Sequence, residues 1–184
     1  RHATTLAREL APRSDIIVAV GGDGTINEVV TGMREATRHS ALRCRLGIVP
    51  VGTVNVVARE LKLPFRTKEA CDVIASGKSI ALDVGKVNDR RFMLMAGAGI
   101  DAVTIRNIDP RAKRWLRSLA FVTTGLTKGL AHSHPEFEVI VDGATHGATF
   151  FVAGNFRYYA AHLSMTPTAD HTDGLLDILL LRGT

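Results

Sequence analysis

The sequence predicts an α/β protein: a parallel-sheet α/β/α domain followed by a mainly antiparallel β-sandwich domain with one long helix. Up to residue 78, short apolar segments alternate with segments of helical periodicity, which is typical of parallel βαβ units. Beyond residue 78, apolar and polar residues alternate and hairpin turns appear. We therefore place the two domains at 1–78 and 79–184.

In the first domain each element is predicted from its pattern. Apolar residues at i, i+3, i+4 and i+7 indicate helices, and continuous β-branched runs indicate strands that are covered on both faces. The predicted elements are, in order, a helix over 3–10, strand Ile16–Val20, a helix over 26–33, strand Leu46–Val49, and helices over 54–61 and 68–76.

In the second domain the alternation predicts strands and one helix interrupts them. The helix is expected over 110–128, because Asp109 can cap it and Pro110 suits its first position. Asp142-Gly143 is a strong hairpin signal. The predicted strands lie at 80–84, 91–96, 137–141, 148–154 and 175–181.

The composition is that of a globular chain with excess positive charge. Of its 184 residues, 46% are hydrophobic and 22% are charged, which excludes a disordered protein. No apolar run could span a bilayer and no signal peptide opens the chain. Cys44 and Cys71 lack metal-ligand spacing, so we expect thiols in a reducing, cytoplasmic compartment. The net charge of +5 suits a nucleotide, an anionic lipid surface or a nucleic acid.

Two glycine-rich turns follow the first two predicted strands. They read Gly-Gly-Asp-Gly-Thr at 21–25 and Pro-Val-Gly-Thr at 50–53. In a parallel sheet both turns lie at the carboxyl edge, where ligands bind. Free N–H groups and the helix dipole at each helix start favour an anion, and glycine lets it approach the backbone closely. The turns therefore predict a cradle for a polyphosphate.

Asp23 is the unusual member of the first turn, because a carboxylate repels phosphate unless a cation or a transferable proton lies between them. It therefore indicates Mg²⁺ handling or general-base chemistry, as phosphoryl transfer requires. A structural alternative stays open at this point. Thr25-x-x-Glu28 is also a capping box, and the glycines could simply allow a tight turn.

A third motif is rich in aspartate. Asp170, Asp173 and Asp177 cluster around a glycine turn, and oxygen ligands of this kind suit a hard cation such as Mg²⁺. The alternative is an aspartate-rich turn that precedes a strand.

Taken together, these motifs resemble the diacylglycerol kinase catalytic-domain family of lipid kinases, which includes bacterial lipid kinases and, more distantly, sphingosine and ceramide kinases. NAD kinases share the first matching segment, but its pairing with the others is specific to the lipid kinases. The segments run in order over nearly the whole chain: GGDGTINEVVTGM (21–33), GIVPVGTVNVVARELKLP (47–64), ALDVGKVNDRRFMLMAGAGIDA (81–102), GNFRYYAAHLSMTPTAD (154–170) and DGLLDI (173–178).

The resemblance implies an ATP-dependent kinase that phosphorylates the hydroxyl of diacylglycerol or a related lipid, with Asp23 as the catalytic residue. A structural Mg²⁺ would take Asp173 and backbone oxygens near Asp170 and Leu175. The residues implied for ATP are Gly21, Gly22, Asp23, Gly24, Thr25, Asn27, Glu28, Gly52, Thr53 and Asn55.

The same resemblance implies a cytoplasmic protein that is peripheral at the inner membrane face and binds no nucleic acid. A homodimer is one assembly that it allows. The helix at 110–128 carries basic side chains beside Trp115 and can rest on anionic headgroups; its alternative is ordinary packing on the sandwich. Two further readings stay open: an NAD kinase-like enzyme and a non-catalytic nucleotide-binding or lipid-sensing module.

The sequence departs from the family pattern in two ways. Ala160-Ala161-His162 stands where the family has three glycines, so the cleft floor is expected to differ. Family members also have a strand before the first helix and a candidate base, a glutamate, beyond the position of residue 184. We therefore expect a fragment, truncated at both ends, that is inactive alone.

Overall fold

The structure, a computed structural model, describes residues 2–37, 43–99, 136–160 and 163–182. The predicted helix over 110–128, with its proposed membrane contact, lies outside these residues. Among the helices that are described, none is both long enough and apolar enough to cross a membrane.

The N-terminal half alternates helices and strands, as predicted. Its elements are α1 (His2–Leu10), a 3₁₀ turn (Ala11–Arg13), β1 (Ile16–Gly21), α2 (Asp23–Ala36), β2 (Arg45–Pro50), α3 (Val56–Glu60) and α4 (Thr67–Ala75). β1 and β2 pair in parallel, with Ile16 opposite Arg45 and Gly21 opposite Pro50. The predicted parallel sheet is therefore confirmed.

The core of this half lies between α1, α2 and one face of the sheet. The periodic residues of α2 are buried and pack with Ala7 of α1 and Ala19 of β1. The two helices approach closely at Gly32, where a Cβ would lie 2.2 Å from the carbonyl oxygen of Thr4. The apolar face that the spacing of α2 predicts is therefore the face that is buried against α1 and β1.

β1 differs from the prediction that both of its faces are covered. Val18 is 45% exposed and Val20 is 60% exposed. Ile17 and Ala19 face the helical core, whereas on the opposite face α4 packs over β2, with Ile74 against Gly47. No described element covers the outer face of β1 at Val20, so its apolar side chains remain in contact with solvent.

The second half is antiparallel in every pairing that the structure describes, which confirms the predicted change of sheet type. β11, β8 and β5 form a three-stranded sheet in that order, and β3–β4, β6–β7 and β9–β10 form pairs. The strands are β3 (Gly85–Val87), β4 (Arg90–Phe92), β5 (Met95–Gly99), β6 (Phe137–Val141), β7 (Ala144–Ala148), β8 (Phe150–Gly154), β9 (Tyr158–Ala160), β10 (Leu163–Ser164) and β11 (Asp177–Leu181).

The turn between β6 and β7 agrees with its sequence signal, whereas the strand predicted at 80–84 does not form. Asp142 and Gly143 adopt positive φ angles of 48° and 85° and join β6 to β7, as the Asp-Gly signal predicts. The strand predicted at 80–84 is wrong, because regular pairing begins only at Gly85. Asp83 instead donates its N–H to the carbonyl of His171 at 2.8 Å. The domain boundary at residue 78 stays a prediction.

Candidate active site

The two glycine turns meet at the carboxyl edge of the parallel strands. Val51 N–H donates to the carbonyl of Gly21 at 3.2 Å. A Cβ on Gly52 would lie 2.4 Å from the Cα of Gly22, which is closer than any side-chain atom can approach. The two turns therefore require glycine for their mutual contact, and the parallel register places them side by side, as the strand–turn–helix pattern predicts.

The start of α2 presents unused hydrogen-bond donors. Within the described chain, the N–H groups of Asp23, Gly24 and Thr25 have no hydrogen-bond acceptor, as is normal for the first turn of a helix. A Cβ on Gly24 would meet nothing within 4 Å. Three unpaired donors and the positive end of the helix dipole thus lie beside an open position at Gly24, which is the geometry of an anion site.

The capping-box alternative does not describe this helix. Gly22, not Thr25, is the N-cap residue of α2, and no side chain caps it.

Asp23 bonds to the start of a second helix. Its Oδ2 accepts the N–H of Val56 at 3.0 Å and its Oδ1 accepts the N–H of Val57 at 3.0 Å. Asp23 therefore satisfies the first N–H groups of α3 from outside that helix, whose own N-cap residue is Asn55, although it belongs to the first turn of α2. Each carboxylate oxygen keeps a further lone pair, so a cation or a hydroxyl proton can still be bound.

Asn55 holds the second turn in shape. Its backbone adopts a left-handed conformation with φ of 53°, which asparagine tolerates better than most residues. Its side chain accepts from the N–H of Gly52 at 3.0 Å and donates to the carbonyl of Gly52 at 2.8 Å. Thr53 is exposed beside it.

Asn27 points toward the second half of the chain and not toward the turns. Its amide donates to the carbonyl of Arg91 at 3.2 Å and accepts the N–H of Met93 at 3.1 Å. Of the ten predicted ATP residues, the structure therefore gathers eight at the two turns, and it directs the side chain of Asn27 elsewhere. The assignment of these residues to ATP stays a prediction.

A cavity of about 200 Å³ lies beside α3. It is lined by Val56, Arg59, Glu60 and Tyr158, none of which the sequence predicts as a site residue. Arg59 is exposed, its guanidinium lies 5.0 Å above the ring of Phe65, and its Nε donates to the carbonyl of Val54 at 2.8 Å. The remaining guanidinium N–H groups are available to an anion.

The aspartate-rich loop is organised by its own turn bonds and by Asp83. Asp173 Oδ1 accepts the N–H of Leu175 at 2.9 Å, and Asp83 Oδ2 accepts the N–H of Gly174 at 2.7 Å. The hydroxyl and N–H of Thr172 donate to Asp170 and hold the pKa of that carboxyl below its ordinary value. Sequence reasoning missed Asp83, whose partners lie about 90 residues further along the chain.

The donor chemistry of this loop fits a hard cation only in part. The second oxygen of Asp173 and the nearby backbone carbonyls are oxygen ligands of the type that Mg²⁺ prefers. The described residues contain no group of three or more His, Cys, Asp or Glu side chains that could hold a metal ion. An ion at this loop would therefore retain most of its water ligands, as Mg²⁺ commonly does.

Comparison with known families accounts for nearly the whole chain. The sequence model of the diacylglycerol kinase catalytic domain matches residues 1–87. That of the YegS C-terminal NAD kinase beta sandwich-like domain matches residues 95–184. The chain belongs to the diacylglycerol kinase family.

Individual members of the family agree with this membership. A diacylglycerol kinase of Bacillus subtilis (strain 168) is 32% identical over 184 residues, which are 98% of this chain and 59% of the relative. One of Staphylococcus carnosus (strain TM300) is 28% identical over 95% of this chain and 56% of the relative. A crystal structure of a diacylglycerol kinase from Bacillus anthracis str. Sterne matches with a TM-score of 0.75 and 27% identity, over 99% of this chain and 59% of that chain.

The ranges that the two family models match include both turns, α3 and the aspartate-rich loop. The chain spans less than two thirds of the length of the relatives that it matches. The activity and the substrates of the whole protein are therefore inferred below from the site and from the relatives together.

Proposed function

We propose that the protein containing this chain is an ATP-dependent lipid kinase that transfers the γ-phosphoryl group to the hydroxyl of diacylglycerol or a related lipid. The observation that carries this proposal is the contact of the two glycine turns beside three unused N–H donors at the start of α2. The diacylglycerol kinases among its relatives supply the class of acceptor.

In this proposal the turns bind the phosphates of ATP. The backbone N–H groups of residues 23–25 are the donors, and the open space at Gly24 admits phosphate oxygens. Asn55 keeps Gly52 and Thr53 in the conformation that the contact with Gly22 requires. Fixed donors of this kind stabilise the charge of the transferring group without reorganisation during the reaction.

The chemical step is a displacement at the γ-phosphorus. The lipid hydroxyl oxygen forms a bond to that phosphorus, the bond to the β–γ bridging oxygen breaks, and ADP leaves with the electron pair. The hydroxyl proton passes to a base, for which Asp23 is the candidate within this chain. Each carboxylate oxygen of Asp23 accepts one N–H from α3 and keeps a lone pair that can receive the proton. Mg²⁺ bound with ATP would neutralise phosphate charge.

A lipid acceptor requires the site to reach a membrane surface. We propose peripheral association with the inner face of the membrane, which the net charge of +5 favours at anionic headgroups. Nucleic acid is not a proposed partner. A homodimer is one assembly that this proposal allows.

The test uses the full-length protein with labelled ATP and either diacylglycerol or NAD as the acceptor. We expect labelled phosphatidic acid and no labelled dinucleotide. Labelled NADP would instead support the NAD kinase-like reading, and a nucleotide-dependent thermal shift without either product would support a non-catalytic module.

Asp23→Asn tests the role of the carboxylate in the same assay. The amide keeps one acceptor oxygen for the start of α3 but loses the negative charge, so we expect a loss of rate on the order of 10²-fold or more. Circular dichroism of the variant should match that of the wild type. Near wild-type turnover would contradict the assignment of Asp23.

A further inference from the structure

Glu60 joins two segments that are far apart in sequence. It is the last residue of α3, and its Oε1 accepts the N–H of Tyr158 at 2.9 Å while its Oε2 accepts the N–H of Arg157 at 3.2 Å. A carboxylate that receives two successive backbone N–H groups fixes both the distance and the orientation of the segment that donates them. The sequence carries no signal for this contact, because any residue supplies a backbone N–H.

The two ends of α3 are therefore tied to different parts of the site. Asp23 holds the N-terminal end against the phosphate turn, and Glu60 holds the C-terminal end against residues 157–158. A helix of five residues is only about 7.5 Å long, so the two contacts lie close together on one short element.

The segment that Glu60 binds is firmly attached on its other side. Asn155 is fully buried and donates to the carbonyls of Asp83 and Met93 at 2.9 and 2.8 Å. Arg157 donates through Nε to the carbonyl of Ala169 at 3.2 Å. Among the hydrogen bonds described here, those of Glu60 alone connect this segment to α3.

The cavity beside α3 lies at this junction. Val56, Arg59 and Glu60 line it from α3, and Tyr158 lines it from the opposite segment. The separation of these two walls is set by the carboxylate of Glu60. The cavity has a volume of about 200 Å³, which is below the usual range for drug-sized ligands. It therefore suits the polar end of a larger molecule.

We propose that Glu60 is a positioning residue for the acceptor: it fixes the wall that carries Tyr158 relative to the phosphate turn and so places the polar end of the lipid. This inference rests on the proposed lipid kinase activity. It assigns no direct contact between Glu60 and the reacting atoms. Glu60 acts through the backbone of residues 157–158.

The first experiment measures the contact itself and needs no activity. In the full-length protein, hydrogen exchange of the amides of Arg157 and Tyr158 should accelerate about tenfold or more in Glu60→Ala. The matched control is Glu69→Ala, which removes an exposed carboxylate of α4 whose partner among the described residues is Arg66, just before that helix, and it should leave these amides unchanged. Unchanged exchange in Glu60→Ala would overturn the inference.

The second experiment separates positioning from general loss of structure. Glu60→Ala should raise the apparent KM for diacylglycerol in mixed micelles about tenfold, which corresponds to about 1.4 kcal/mol, because the wall that carries Tyr158 is no longer held, and it should leave the KM for ATP within about twofold. Glu60→Gln, which keeps one acceptor oxygen, should lie between. A fall in kcat with both KM values unchanged would overturn the positioning role.

The two experiments distinguish the inference from the proposal beneath it. If the wild type phosphorylates no lipid, the proposed function fails and the acceptor role fails with it, whatever the exchange data show. If the wild type is active but Glu60→Ala changes neither exchange nor the KM for the lipid, only the inference about Glu60 fails.

Discussion

Gly52 and Gly24 lie in the same site, but the absence of a side chain serves a different purpose at each. At Gly52 a Cβ would collide with the Cα of Gly22 at 2.4 Å and with the Oδ1 of Asn55 at 2.6 Å. At Gly24 a Cβ would meet no protein atom within 4 Å. The first glycine is required by the fold, whereas the second leaves space for a ligand.

Gly52→Ala should therefore destabilise the protein and weaken nucleotide binding together. Backbone atoms must move to admit the methyl group, and overpacking of this kind costs about 1–3 kcal/mol. Urea unfolding measures the loss of stability, and calorimetric titration with ADP measures binding. Wild-type stability would show that the two turns separate without cost.

Gly24→Ala is the matched substitution with the opposite expectation. The methyl group projects into open space from the first turn of a helix, where alanine is favoured over glycine by up to about 1 kcal/mol. Stability should be unchanged or slightly higher, and affinity for ADP should fall about tenfold or more if phosphate occupies that space. Unchanged affinity would contradict the phosphate site at the start of α2.

At the scale of elements, the side chain of Asn27 bonds α2 to β4 and to Met93, which follows that strand. Asn27 satisfies both the carbonyl of Arg91 and the N–H of Met93, and its position is half-buried. This contact joins the helix of the first glycine turn to the antiparallel half. We therefore expect the hydrogen bonds of Asn27 to contribute mainly to the stability of the fold and less to ligand binding.

Asn27→Leu should lower the free energy of unfolding by about 2–3 kcal/mol, because it leaves a backbone donor and a backbone acceptor unpaired. Urea unfolding is the measurement. The control is Thr31→Ala one turn further along α2, since the hydroxyl of Thr31 bonds only to the carbonyl of Asn27 in the same helix. Equal losses in the two variants would show that the bridge to β4 contributes nothing.

The aspartate-rich loop provides a second prediction at this scale. If Mg²⁺ binds at Asp173, millimolar Mg²⁺ should raise the melting temperature of the wild type but not that of Asp173→Ala, since a ligand bound only by the folded state stabilises it. Asp89→Ala removes a carboxylate from the exposed turn between β3 and β4 and should respond to Mg²⁺ like the wild type. Equal shifts in all three proteins would exclude a site at Asp173.

What the sequence could predict depended on how local the determinants were. The strand–turn–helix units are encoded by short periodicities and by glycines within each unit, so the meeting of the two turns followed from the parallel sheet. The contacts of Asp23 with α3 and of Glu60 with residues 157–158 join a side chain to distant backbone N–H groups. Such donors have no residue identity, and no spacing rule reveals them.

At the scale of the whole molecule, the outer side of the parallel sheet exposes apolar side chains beside a strand edge that is unpaired in the part of the chain that the structure describes. β1 pairs only with β2 among the described strands, and Val18 and Val20 are exposed on it. Unpaired N–H and C=O groups beside apolar side chains form a template for another strand. Residues 1–184 taken alone should therefore self-associate.

Sedimentation velocity on residues 1–184 tests this expectation, and a lipid phosphorylation assay is run alongside it. Val20→Lys should shift the protein toward the monomer, because a charged residue on an exposed strand opposes edge pairing, and it should leave the secondary structure unchanged. Val73→Lys, a similar change at an exposed position of α4, is the control and should not alter association. A monomeric 1–184 would show that the edge of β1 does not pair with another copy of the chain. The phosphorylation assay addresses catalysis: robust diacylglycerol phosphorylation by residues 1–184 would place the catalytic base within this chain, with Asp23 the first candidate.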